Sequence, residues 1–438
     1  MTMRRYAHAV RQAELVRRIG RVTQFYGLML EASGPDVFLG EVCEVYSRAQ
    51  TAPVLAEVVG IRNGRVLLMP YGELRGIGLG AEVIALGRAL QVPAGPELLG
   101  RVLDALGNPI DSLAVPRTGG MASIRRDAIN PLDRPPINTV LETGVRAIDA
   151  LLTLGKGQRV GIFAGSGVGK STLLGMLARN VKADVNVIAM VGERGREVRE
   201  FIERSLGPAG LKRSVVLVST SEQSALMRCN AAYAATAIAE YFRDQGADVA
   251  LIMDSVSRFA MAQREIGLAV GEPPTARGYT PSVFASLPRL LERCGTGAGG
   301  GSITAFYTVL VEGDDLYSDP VVDAVRSVLD GHIVLSRELA DQRHFPAIDV
   351  LKSISRLLPA LASPAEQELV RRTVEVLHRL ERSRDLLDIG AYKGGSNPQL
   401  DRALALAPLL ERFSRQDVDE AVPRTATLQA LEAILRKE

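Results

Sequence analysis

In the run GIFAGSGVGKSTLLGMLARN, residues 161–180, three glycines alternate with small residues ahead of a lysine, a serine and a threonine. Gly165, Gly167 and Gly169 let the backbone wrap closely around phosphate oxygens with its N–H groups turned inward, an approach that larger side chains would block. Lys170 sets a cation on the β- and γ-phosphates and Ser171 offers a hydroxyl to Mg2+. The helix beginning there directs its positive end at the anion. The cradle thus comprises Gly165, Ser166, Gly167, Val168, Gly169, Lys170, Ser171 and Thr172. Ala164 stands where the strict pattern G-x-x-x-x-G-K-[ST] has its first glycine, a departure that changes the pattern more than the chemistry. A glycine turn followed by a chance Lys-Ser is the bland alternative. The apolar strand over 159–164 and the helical pattern after it supply the context that a nucleoside-triphosphate site requires.

Phosphoryl chemistry needs two further kinds of group. A carboxylate must reach the metal, usually through its water shell, and ALIMDSVSRFA ends an apolar strand on Asp254. The attacking water must be oriented and relieved of a proton, and VIAMVGERGREVREF places Glu193 just after another apolar strand. Each acid has a plain structural reading beside the chemical one, turn chemistry for Asp254 and a solvated charge in a Glu/Arg-rich helix start for Glu193.

These residues need a scaffold, and the texture of the chain describes one. With 438 residues, 47% hydrophobic, it has material for two or three domains with substantial cores. From residue 20 to about 90, short apolar runs alternate with turn signals, as in an all-β module. Between 159 and 334, apolar runs such as VNVIAMVG, SVVLVSTS and SITAFYTVL alternate with helical stretches, the pattern of a parallel sheet covered by helices. Beyond Ser363 helical patterns dominate. The expected division is a basic helix over 1–19, a β-barrel over 20–91, a nucleotide-binding α/β domain over 92–360 and a helical domain over 361–438.

Composition also excludes. The net charge is +2, aromatic residues are sparse and tryptophan is absent, so nucleic acid is not an expected partner. Cys43, Cys229 and Cys294 are far apart in sequence and the four histidines do not cluster with them, which argues against zinc and a disulfide framework. The arginine-rich N-terminus does not read as a signal peptide, and no run is long enough to span a bilayer, so the expected location is cytoplasmic.

FAGSGVGKST, VGERGREVREFIE, LIMDSVSRFAMAQREI, GEPPTARGYTPSVFASLPRLLER and GHIVLSRELADQRHFPAIDVLKSISR together resemble the ATPases of type III protein export, relatives of the rotary ATP synthase α and β subunits. The resemblance runs from about Gly20 into the C-terminal helices and implies an α/β P-loop core of RecA/ATP-synthase type, with a small N-terminal β-barrel and a helical C-terminal domain. It makes Glu193 the catalytic carboxylate with Arg194 beside it, and Lys170 and Ser171 the phosphate and magnesium contacts. Asp254 becomes the magnesium-side acid, and Phe345 matches the position that packs on adenine. Arg356, in SISR, matches the arginine finger that reaches the nucleotide of the next subunit. The substrate implied is ATP with Mg2+. The partners implied are further copies of the chain in a homo-hexamer, a stalk-like negative regulator, a central-stalk protein, export substrates with their chaperones, and the export gate at the inner membrane. GLMLEASGP, LLMPYGEL and LLDIGAY resemble the flagellar branch more than the virulence injectisome branch.

Glutamate at 193 separates this chain from non-hydrolysing nucleotide subunits of rotary ATPases, which commonly carry glutamine there. The acidic lever segment of a synthase β subunit has no counterpart, which disfavours a synthase or vacuolar-type subunit. A ring-shaped RNA helicase shares the loop and a small β domain, but the weak basic and aromatic content opposes it. Arg4, Arg5, Arg11, Arg17, Arg18 and Arg21 face only Glu14 in the first 21 residues, a basic stretch that the resemblance connects with ring formation and with a regulator or acidic lipid. The stretch 278–287 resembles a pore-lining loop and also reads as a proline-marked helix start.

Overall fold

The computed structural model describes residues 17–46, 52–311 and 319–436. Period-two alternation closes the first module on itself. Strands β1 (Ile19–Tyr26), β2 (Met29–Ser33), β3 (Glu41–Val45), β4 (Val54–Arg62), β5 (Arg65–Pro70) and β6 (Glu82–Ala89) form a closed barrel in the order β1-β2-β5-β4-β3-β6. β6 returns to pair with β1, so no edge remains open. Val22, Leu30, Val45, Val58, Leu68 and Val83 fill its interior.

Most of the basic helix expected over 1–19 lies outside the described residues, but its expected end does not. Arg17 and Arg18 are not helical and β1 already starts at Ile19, so a helix does not run to 19. The barrel supplies the acids that local sequence lacks. Arg18 pairs with buried Glu41 at 3.0 Å and Arg21 with Glu82 at 3.7 Å.

The nucleotide domain is built on a mainly parallel sheet of β7 (Val102–Leu103), β8 (Arg159–Ala164), β9 (Val185–Glu193), β10 (Ser214–Thr220), β11 (Asp248–Asp254), β12 (Ser302–Leu310), β13 (Gly331–Leu335) and β14 (Ile348–Ser355). Their spatial order is β14-β13-β8-β12-β11-β9-β10-β7, with β14 antiparallel to β13. All nine residues of β9 are buried, as expected for a strand covered on both faces, which reads as an unbroken apolar run rather than an alternation. Helix α1 (Lys170–Asn180) covers one face. The other carries α2 (Ala225–Asp244), α3 (Val256–Ala269) and α4 (Pro281–Leu291). Residues 278–287 run through that helix start, and Val283 and Leu287 are buried in the core.

Among the described residues the C-terminal domain holds three long helices. α5 (Pro364–Asp388) begins with a capping box, in which the Ser363 backbone N–H donates to Glu366 Oε2 at 2.7 Å and the Ser363 hydroxyl accepts from the Glu366 N–H. α6 (Pro398–Ser414) is capped by Asn397, and α7 (Arg424–Leu435) closes the bundle. Leu406, Leu410, Phe413 and Leu431 share their core with Ala150 and Leu151 of the nucleotide domain. Gln416 reinforces the junction, accepting from the Arg146 N–H at 2.8 Å and donating to the Gly144 carbonyl at 2.7 Å.

Candidate active site

In an open parallel sheet, ligands sit outside the carboxyl ends of the strands. Here β8 ends on Ala164 and leads into the glycine loop, β11 ends on Asp254 and β9 ends on Glu193. Because β12 alone separates β8 from β11, and β9 is the next strand beyond, all three ends lie along one short stretch of the sheet's edge. Three segments far apart in sequence are thereby brought to one place.

The loop carries the backbone that the glycines anticipated. Gly169, at the N-cap of α1, has φ +89°, and a Cβ on it would stand 3.2 Å from the Phe345 ring. Glycine therefore serves both the left-handed backbone and the approach of the aromatic ring. Ser166, Gly167 and Ser171 are exposed, Gly165 and Thr172 are half-buried, and Val168 is buried, so its side chain anchors the loop to the core.

Lys170 lies between the two acids. Its ammonium pairs with Asp254 Oδ1 and stands 3.7 Å from Glu193 Oε1. Both carboxylates are almost fully buried, Asp254 at 2% and Glu193 at 4% exposure, so the solvated-surface reading of Glu193 fails. A second cation, not anticipated from the sequence, completes the group: Arg258 donates from Nε to Glu193 Oε1 at 3.2 Å. It sits in the first turn of α3, where the Ser255 hydroxyl accepts from its N–H. Its place four residues after Asp254, one turn into a helix that starts at the sheet's carboxyl edge, was the available signal. Gly192, with φ +70°, makes room for it, since a Cβ there would stand 2.8 Å from Arg258 Cδ.

Burial holds the Glu193 carboxyl above the ordinary carboxylate range; the charge of Lys170 opposes the rise, the neighbouring Glu197 adds to it, and Arg258 opposes it in turn. A base acts only when ionised, so hydrolysis should fall with pH, and at a higher pH than for an ordinary carboxylate. Arg258→Met removes one of the opposing cations, and the acid limb of the kcat–pH profile should move to higher pH. A midpoint that stays in place or moves down would refute the coupling of these two side chains.

The other anticipated residues divide. Phe345 is 38% exposed beside the loop, and its carbonyl accepts from the Gln416 N–H at 2.9 Å. The neighbouring imidazole of His344 is buried and meets the Ser414 hydroxyl at 3.1 Å, so the C-terminal domain fixes the segment that carries the ring. Arg194 does not converge on the acids; its side chain is exposed, 3.6 Å from Glu197. Arg356 is at the wrong end of the sheet for its own chain. Its N–H donates to the Asp330 carbonyl, and the Asp330 N–H donates to the Arg159 carbonyl, which places it level with the start of β8. Running along β8 to the loop covers roughly 16 Å at about 3.3 Å per residue.

The chain resembles known proteins along most of its length. Residues 22–87 match the ATP synthase alpha/beta family, beta-barrel domain, residues 144–355 match that family's nucleotide-binding domain, and residues 362–433 match the T3SS EscN ATPase C-terminal domain. It is 52% identical over 430 residues to the flagellum-specific ATP synthase of Bacillus subtilis, covering 98% of each chain. It is 51% identical over 418 residues to the type 3 secretion system ATPase of Xanthomonas euvesicatoria, covering 95% of this chain and 94% of that one. Among solved structures it resembles the assembled ATPase EscN in complex with its central stalk EscO, from the enteropathogenic E. coli type III secretion system. There the TM-score is 0.87 and the identity 41%, over 95% of this chain and 100% of that one.

Proposed function

Because this chain belongs to the ATP synthase alpha/beta family and ends in the C-terminal domain of the type III secretion ATPases, we propose that it is the ATPase that energises a type III protein export apparatus, most directly the flagellar one. The observation that carries hydrolysis is the buried Glu193 at the end of β9, an acid rather than an amide, set beside Lys170 and Arg258.

ATP binds with its phosphates in the loop of residues 165–172. Lys170 leaves its carboxylate partners for the β- and γ-phosphates, and in doing so releases Glu193 to orient the attacking water and take its proton. The donors available to a metal are oxygens, the Ser171 hydroxyl and the Asp254 carboxylate, a set that suits Mg2+. When bound, Mg2+ neutralises charge on the phosphoryl oxygens. Phe345 stacks on the adenine. Among the described residues the Arg194 side chain is held by a surface ion pair with Glu197, worth little, and it can turn to the phosphates. Arg356 serves the site of a neighbouring subunit, so hydrolysis needs an assembled ring, which on this reading is a homo-hexamer.

By the same reading the ring engages export substrates and their chaperones, a central-stalk protein and a stalk-like negative regulator, on the cytoplasmic side of the export gate. Among the described residues no helix is long and apolar enough to cross a membrane, which fits a peripheral position. The similar identity to a Xanthomonas secretion ATPase supports a second reading, the virulence injectisome. Chromosomal disruption of the gene, scored in parallel for swimming and for secretion of non-flagellar effectors, separates the two. Loss of swimming alone is the expected result, loss of effector secretion alone assigns the injectisome, and no change in either rejects the export reading.

A further inference from the structure

Asp254 poses a problem that the mechanism leaves open. Its carboxylate is buried, and among the described residues two donors reach it, both at Oδ1: the Lys170 ammonium and the Thr308 hydroxyl, the latter at 2.8 Å. If Lys170 moves to the phosphates, the carboxylate loses one of the two. A buried carboxylate without a firm donor either follows the departing cation or samples other rotamers, and neither leaves it fixed for the water shell of a metal.

Thr308 is built to prevent this. It is fully buried in β12, the strand between β8, which carries the loop, and β11, which carries Asp254. The ladders pair Ile162 with Thr308 on one side and Met253 with Tyr307 on the other, so Thr308 belongs to the strand joining the two halves of the site. A β-branched side chain in a central strand has little χ1 freedom. Its hydroxyl also lies 3.2 Å from the Met253 carbonyl, but one hydrogen serves one acceptor at a time, and the shorter contact to an ionised oxygen is the stronger.

We infer that Thr308 is a positioning residue for metal binding: its hydroxyl holds Asp254 on the metal side of the site while Lys170 exchanges between the carboxylates and the phosphates. This rests on the proposed metal-side role of Asp254. Hydrogen bonds that orient a metal-facing carboxylate typically change metal affinity about 10- to 100-fold when removed.

The test uses the full chain with ADP and Mn2+ as the probe metal, read by the electron paramagnetic resonance of free Mn2+, with ADP affinity in EDTA measured separately by calorimetry. Thr308→Val, which keeps the branched shape and lacks the hydroxyl, should weaken Mn2+ binding about 10- to 100-fold and leave metal-free ADP binding unchanged. Thr308→Ser should restore binding close to that of the original chain. If the valine variant does not fold, Thr308→Ala carries the same expectation. Unchanged Mn2+ affinity in the hydroxyl-free variant, an equal loss of metal-free ADP binding, or a serine variant as poor as valine would each overturn the inference. Asp254→Ala, run alongside, distinguishes the two levels. If it leaves Mn2+ affinity intact, the metal-side role of Asp254 is wrong; if it weakens Mn2+ binding while Thr308→Val does not, only the role of Thr308 is wrong.

Discussion

Glu193→Gln should slow ATP hydrolysis by about 10²- to 10⁴-fold, the range for loss of a positioned general base, with nucleotide binding retained. Glutamine keeps the size of the side chain and an acceptor for Arg258, which approaches Glu193 Oε1 at 3.2 Å, so the local packing survives. It cannot take a proton from water. It also removes one of the two carboxylates around Lys170 and leaves the pair with Asp254, so the ammonium is no worse placed to meet phosphate. The effect should therefore appear in kcat, measured by phosphate release, with little change in the affinity for a fluorescent ADP analogue. Hydrolysis at the original rate would remove Glu193 from the mechanism. A loss of binding as large as the loss of rate would give it a structural role instead.

Arg356→Ala should cost about 10³- to 10⁵-fold in rate, the usual worth of an arginine finger. Lysine should not substitute, because an ammonium lacks the planar fork that meets two phosphoryl oxygens. The more discriminating result comes from mixing. Arg356 begins level with Arg159, at the end of β8 remote from the loop, so its guanidinium is out of reach of its own Lys170. An equal mixture of Glu193→Gln and Arg356→Ala chains, dissociated and reassembled, creates interfaces in which an intact Glu193 on one subunit meets an intact Arg356 on the next. With random assembly of a cyclic ring about a quarter of the interfaces qualify, and activity should return in proportion. If the arginine acted within its own chain, every chain in the mixture would lack one of the two groups and no activity would return.

The glycine-rich strand-to-helix turn was legible because its signal is local. Glycines, lysine and serine follow one another on a strand-to-helix turn, and the backbone of that turn needs nothing distant to define it. The two acids were legible for a related reason, since each ends an apolar run, and the carboxyl ends of parallel strands are where an α/β fold exposes functional groups. The layered architecture also followed from pattern: short apolar runs between turn signals for the barrel, apolar runs alternating with helical stretches for the buried strands, and helical patterns beyond Ser363 for the C-terminal domain. What misled was the basic stretch near the N-terminus. Six arginines with one glutamate suggested a helix through residue 19, whereas Arg18 and Arg21 lie beside Glu41 and Glu82 of the barrel, which local sequence does not reveal as neighbours.

By itself, then, the sequence determined the parts: a glycine-rich turn between strand and helix, two acids at strand ends and a parallel sheet to carry them, all expressed within spans of one or two elements. Only the tertiary structure decided how those groups act on one another. Lys170 meets Asp254 across 84 residues, Arg258 meets Glu193 across 65, and Thr308 meets Asp254 across 54. These contacts depend on the order in which strands lie side by side, and no local periodicity records that order. The same order sets Arg356 at the far end of the sheet from its own loop, because β14 runs antiparallel to β13.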